Sequence, residues 1–293
     1  IEPYEVVDFS ANINPLGPSQ RGLDALNAQL RYISHYPDAT NDDVLNAIAD
    51  TYEMDKHQII VGNGAAELLY AICRLPGYTG AFVPAPGFSE YKEALEASKI
   101  PVRDIFYRPR EDDNGKPYFE VPYLALETFA AELKGQDGRI IVFLGNPNNP
   151  DGTLLDKDHI RTVASMLKDA NSLLVIDESF IDFVGNDPLQ ENEHSMRSLV
   201  NEFDNIIVVH SFTKFYAVPG LRIGAAFANE TLITQLQQYI PSWSVNTLAQ
   251  AYTKAALNDV DYIKRTKQEL NEERAFMYNA LDDIEGITVY PPS

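Results

Sequence analysis

Lys214 closes a Ser211-Phe212-Thr213-Lys214 stretch, and Arg222 follows the Ala217-Val218-Pro219-Gly220 turn. Hydroxyls and a guanidinium suit a phosphate, and a lysine amine suits a carbonyl as a Schiff-base nucleophile. Taken alone, the pattern Ser-x-Thr-Lys is equally compatible with an ordinary surface loop. The apolar run Ile206 to Val209, read as a buried strand, changes that balance because it delivers the group at a strand end.

One ligand carries both an aldehyde and a phosphate: pyridoxal phosphate (PLP). Besides the lysine, such a ligand needs a carboxylate at its ring nitrogen, a donor to its ring hydroxyl and a phosphate cradle. Asp177 ends the apolar run Ser172 to Ile176 and suits the nitrogen, although a buried acid also serves as a cap or ion-pair partner. Asn149, in the Pro-stiffened turn Gly145 to Gly152, suits the ring hydroxyl, although Asn is also a common turn-former. Ser211, Thr213, Arg222 and the N–H groups of the Gly64-Ala65-Ala66 turn suit the phosphate. Phe88 is placed to stack on the ring or to pack in the core.

The elements that hold these residues alternate. The sequence predicts helices over 22–31, 42–52, 68–75, 88–97, 122–133, 156–168, 230–239, 245–257 and 262–281. Strands are predicted over 6–9, 58–61, 80–83, 101–107, 139–144, 172–176, 206–209 and 287–290, with a loop over 109–117. The alternation implies an α/β fold with a mostly parallel central sheet flanked by helices. Ligands then sit at the carboxyl ends of the strands, where the Gly62–Glu67 turn, the Asn149 turn, Asp177 and Lys214 all fall.

The 293 residues carry 43 acids against 23 bases, a net charge of −20. That argues against nucleic acid or an anionic membrane as a partner, so any anion site must be a local cluster. Cys73 is the only cysteine, which fits a reducing, cytoplasmic setting, and its apolar helical surroundings suit the core. No apolar run reaches membrane-spanning length. The five histidines have no metal-ligand spacing and read as structural or surface residues. The Gly62–Glu67 turn also invites a nucleotide-binding or oxidoreductase reading. Glu67 at the third-glycine position, and Pro84 where an acid should follow the next strand, weaken it.

The Ser211–Lys214 and Arg222 pattern, the Asn146–Gly152 turn and Asp177-Glu178-Ser179-Phe180 resemble fold-type I, class I/II aminotransferase-like PLP enzymes. Asp8 to Gly17, Gly62 to Glu67, Thr213 to Arg222 and Trp243 to Asn246 are more specific. They resemble the threonine-phosphate decarboxylases of cobalamin synthesis, near the histidinol-phosphate aminotransferases. The resemblance implies PLP bound through Lys214, with Asp177 at the pyridine nitrogen, Asn149 at the ring hydroxyl, and Ser211 and Arg222 at the phosphate. It also implies a small phosphorylated amino acid as substrate, and a homodimer in which Tyr36 reaches the partner's cofactor phosphate. A catalytically dead protein that keeps the fold is a further reading, against which Lys214, Asp177 and Arg222 together count.

Three departures accompany the resemblance. Asp151 replaces the usual Thr of the Asn-Pro-Thr-Gly turn, and Phe180 replaces the Tyr that bonds the ring hydroxyl in aminotransferases. The substrate-carboxylate Arg is expected beyond Ser293, so the 293-residue chain is expected to be nearly inactive. The expected organisation is an N-terminal arm and active-site loop over 1–40 and a large PLP-binding domain over 41–240. Connecting helices and the start of a small, truncated C-terminal domain would occupy 241–293.

Overall fold

A computed structural model describes residues 10–133, 138–185 and 192–291. Nine strands are found there: β1 (Ile59–Gly62), β2 (Tyr78–Ala85), β3 (Val102–Phe106), β4 (Arg108–Glu111), β5 (Pro117–Glu120), β6 (Arg139–Gly145), β7 (Leu173–Asp177), β8 (Ile206–Ser211) and β9 (Gly224–Ala228). Seven form one sheet in the order β1-β9-β8-β7-β6-β2-β3. The ladders from β8 through β7, β6 and β2 to β3 are parallel. Only β9 runs the other way, antiparallel to both β1 and β8. The mostly parallel α/β architecture read from the sequence is therefore the one observed.

The central strands are apolar on both faces because both faces are covered. Along β6, Ile141 and Phe143 join one core, while Val142 and Leu144 join the other, the two-residue period of a strand. The first core takes Leu68 and Ile72 from the helix Gly64–Cys73, Leu95 from Glu90–Ala97 and Leu236 from Glu230–Gln237. The second takes Val44 and Ile48 from Asp42–Tyr52, Leu126 from Tyr123–Leu133, and Ile160 and Val163 from Lys157–Asp169. It also takes Tyr252 from Thr247–Leu257 and Tyr262 from the long helix Val260–Asp282.

Helix starts follow side-chain capping. Ser19, Asp156, Asn229, Asn246 and Asp259 each accept a bond from the first turn they precede. The helices Asp42–Tyr52, Glu90–Ala97 and Gly64–Cys73 start without such a cap, and at Gly64–Cys73 this leaves the first N–H groups for another acceptor.

Some expectations change. Residues 109–117 were expected as loop, but β4 and β5 pair as an antiparallel hairpin around a turn at Asp112. Its first strand is exposed throughout, so no hydrophobic alternation announces it. Residues 287–290 form no strand, and Tyr290 instead stacks on Phe119 of β5 at 4.7 Å. Strand β8 extends to Ser211, and Lys214 stands on a one-turn helix, Phe212–Phe215. The helix expected from Phe88 begins at Glu90. The strand expected over 6–9 lies outside the described residues. Among the described residues, no helix is long and apolar enough to cross a membrane.

Candidate active site

Sheet register brings the chemistry together. Gly224 pairs with both Gly62 and Ser211, and Asp177 pairs with Gly145 and Val209. The ends of β1, β6, β7 and β8, and the start of β9, therefore form one edge. A methyl group on Gly224 would overlap the Ala65 backbone nitrogen and the His210 carbonyl, so glycine is needed for β9 to pass this close to the helix start.

Lys214 points into this edge. Its Nζ donates to Ser211 Oγ at 3.1 Å, and Ser211 Oγ shares a 2.8 Å bond with Thr213 Oγ1. Both hydroxyl residues are buried. Burial pushes the Lys214 amine's pKa down; Asp177 opposes that shift and the like charge of Arg222 adds to it. The amine is thereby biased towards its neutral, nucleophilic form. The Phe180 ring centroid lies 6.0 Å from Nζ on the other side.

Arg222 lies against the uncapped helix start. Gly64, with φ at +81°, leaves the space that the guanidinium fills. Arg222 itself has φ at +59° and donates to the Pro219 carbonyl at 3.3 Å. A guanidinium, two hydroxyls and the N–H groups of Gly64, Ala65 and Ala66 thus converge on one spot, a donor set suited to a phosphate.

Asp177 is 6% exposed. Its Oδ2 accepts from the Tyr91 hydroxyl at 2.9 Å, and its Oδ1 accepts from the Ser179 N–H at 2.8 Å. Among the described residues it forms no ion pair with Lys, Arg or His. Its charge couples to the Lys214 amine; once that amine is neutral, a protonated pyridine nitrogen would supply the cation that a buried carboxylate needs. The donor set, the amine with its lowered pKa and this buried carboxylate fit PLP.

Phe88 is half-buried and meets edge-on, at 5.6 Å, the ring of Tyr91, which donates to Asp177. Asn149 and Phe180 line a cavity of about 770 Å³, together with Asn12, Phe119, Asp151 and Arg274. Asp151 accepts bonds from Thr153 N–H and from the Asn148 side chain. Tyr36 stands apart: it is 81% exposed and packs on Trp243 with ring centroids 4.8 Å apart. Among the described residues, no contact brings it to Lys214.

Several residues that matter here escape a reading of the sequence. Glu178 is fully buried and accepts from Asn146 Nδ2, Ser195 Oγ, Met196 N–H and Arg197 Nη1. It ties the Asn149 turn to the end of β7. Asn14 donates from its side chain to the Phe215 carbonyl, Tyr262 and Thr266, and fastens the lysine-bearing turn to the long helix. Tyr91 and Asp182 complete the group. Asp182 meets His210 Nε2 at 3.0 Å and the Tyr52 hydroxyl at 3.1 Å. Burial alone would raise its carboxyl's pKa, but His210, Arg197 and the Tyr52 bond outweigh burial and hold it below the usual range. His210 is fully buried, in keeping with a structural role. Among the described residues, no group of His, Cys, Asp or Glu is placed to hold a metal ion.

The family described as aminotransferase class I and II matches residues 4–293. The chain belongs to that family. Its members depend on PLP, so the edge built around Lys214 is a candidate cofactor site. Threonine-phosphate decarboxylase of Salmonella typhimurium is 33% identical over 292 residues, covering 99% of this chain and 75% of that protein. The adenosylcobalamin biosynthesis bifunctional protein CobDQ of Leptospira interrogans is 32% identical over 98% of this chain, which spans only 31% of that longer protein. Histidinol-phosphate aminotransferase of Bacillus pumilus is 28% identical over 98% of this chain and 74% of that protein.

Among solved structures, L-threonine-O-3-phosphate decarboxylase of Porphyromonas gingivalis superposes with a TM-score of 0.78 at 25% identity, covering 98% of this chain and 80% of that one. Histidinol-phosphate aminotransferase of Sinorhizobium meliloti, solved with pyridoxal-5'-phosphate, shares the fold at a TM-score of 0.79 and 23% identity, over 96% of this chain and 72% of that one.

Proposed function

We propose that this chain is a PLP-dependent lyase that decarboxylates a phosphorylated amino acid, O-phospho-L-threonine, to aminopropanol phosphate in cobalamin biosynthesis. The observation that carries the reading is Phe180, whose ring faces the Lys214 amine where aminotransferases of this family aim a tyrosine hydroxyl. Identity to the Salmonella decarboxylase supports the same choice.

Bound PLP supplies an electron sink for the carbon next to the substrate's amine. The chain's residues do the rest. Arg222, Ser211, Thr213 and the Gly64–Ala66 N–H groups hold the cofactor phosphate, and Asp177 keeps a proton on the ring nitrogen. Asn149 donates to the ring hydroxyl, and Phe88 covers one ring face. Lys214 would hold the group through its aldehyde, and its Nζ is the amine that would move a proton at the substrate's α-carbon. Phe180 and Asn149, which line one cavity, would form the wall that sets the substrate's rotation.

The active form in this reading is a cytoplasmic homodimer of a large PLP-binding domain, with Tyr36 of each protomer contacting its partner's cofactor phosphate. The test supplies O-phosphothreonine without any 2-oxo acid and measures carbon dioxide release. Release supports the lyase. No release, with glutamate formed only from histidinol phosphate and 2-oxoglutarate, makes it an aminotransferase.

A further inference from the structure

Tyr91 is 2% exposed and lies in the first turn of the helix Glu90–Ala97. Its ring is clamped, stacked on Phe143 at 5.2 Å and 15°, with Phe88 edge-on at 5.6 Å. That leaves the hydroxyl one direction, and there it donates to Asp177 Oδ2 at 2.9 Å. The opposite carboxylate oxygen is held by the Ser179 N–H. Burial, and then the Asp177 charge, push the Tyr91 hydroxyl well above its ordinary pKa, so the proton stays on the phenol oxygen.

Resting on the reading of Asp177 as the partner of the cofactor's ring nitrogen, we propose that Tyr91 is a positioning residue. Its hydroxyl donates to the Asp177 carboxylate and holds it in place, so that the shared proton stays on the ring nitrogen. A donor to an ionised carboxylate stabilises the anion. Removing the donor makes the carboxylate a better competitor for the proton and weakens the electron sink.

The experiment titrates the visible absorption of the cofactor-loaded protein against pH, without substrate. Less positive charge on the ring makes the lysine-linked nitrogen more basic. Tyr91→Phe should therefore move the midpoint upward by about one pH unit, the size of a lost hydrogen bond to a charged group. Replacing Tyr91 by a ring-fluorinated tyrosine, a stronger donor of the same shape, should move it downward. In an Asp177→Asn background, Tyr91→Phe should have no further effect, which a packing role would not produce. An unshifted midpoint in both Tyr91 variants, or an undiminished shift without the acid, overturns the proposal. A wild-type protein that shows no cofactor band sinks the site reading itself. Because no substrate is used, the result is independent of the choice between lyase and aminotransferase.

Discussion

The guanidinium of Arg222 occupies the space that a side chain on Gly64 would need. The left-handed backbone of Gly64, the uncapped helix start and the cation that faces them are one arrangement. Gly64→Ala should therefore harm it twice. The positive φ costs a non-glycine residue about 1–2 kcal/mol, and the methyl displaces Arg222. We expect PLP affinity to fall by about tenfold or more, the loss of one charge-assisted bond. Titration of the apo-protein with PLP measures this, and an unchanged Kd would remove Arg222 and Gly64 from the phosphate site.

Lys214→Ala should abolish borohydride-fixed cofactor while leaving reversible PLP binding. Among the described lysines, Lys214 combines the strand-end position, the bond to Ser211 and a depressed pKa. Peptide mapping after reduction is the measurement. Label on any other lysine contradicts the assignment.

The alternation of strands and helices could be read because strands covered on both faces are continuous apolar runs, as along Ile206–Val209 and Ile140–Leu144. The same lack of period hides direction, so the reversed orientation of β9 was not visible. The hairpin β4–β5 was missed because its first strand is wholly exposed. Residues 287–290 have strand-like composition, but no neighbouring strand pairs with them, and stacking on Phe119 takes over. Residues that could touch a cofactor carry a chemical signature beside a strand end. Glu178, Asn14 and Tyr91 do not, because their partners are distant in sequence and only the fold brings them together.

Lys214 also sets a pH dependence. Its folded pKa lies below the 10.5 of an ordinary lysine. Between those two values the unfolded chain binds more protons, so stability rises with pH across that window. Below the folded pKa the buried ammonium is a constant cost. Lys214→Met should raise the Tm of the cofactor-free protein by a few degrees at neutral pH, and the gain should shrink as pH approaches 10.5. A gain independent of pH would point to packing instead.

Glu178 holds Asn146, Ser195, Met196 and Arg197 with one buried carboxylate. Glu178→Ala removes the ion-pair partner of Arg197 while Asp182 still faces it, so the loss should be at most the about 3–5 kcal/mol of a broken buried pair. It should also loosen the turn that carries Asn149. Denaturant unfolding should report the first effect and weaker PLP binding the second. A variant with full stability would mean that the hub is not needed for the fold.

Phe180→Tyr tests the choice of reaction. The bond to the α-carbon that breaks is the one set perpendicular to the cofactor ring, where it overlaps the π system. Loss of carbon dioxide requires the carboxylate there, and transamination requires the hydrogen. Lys214 serves both outcomes and cannot select between them. The wall beside it can, because Phe180 faces Nζ at 6.0 Å and also lines the neighbouring cavity of about 770 Å³. A phenyl ring offers a carboxylate no hydrogen bond, so nothing on that side draws the carboxylate into the ring plane. A tyrosine at the same place adds a donor that can do so, and can also compete with Asn149 for the ring hydroxyl. The variant should release carbon dioxide more slowly from O-phosphothreonine. A larger share of its turnovers should end with the amino group left on the cofactor. The ratio of carbon dioxide to 2-oxo acid product, measured over single turnovers, gives the partition directly. An unchanged ratio with a fully folded variant would show that Phe180 does not select the bond, and that selectivity lies elsewhere on the cavity wall.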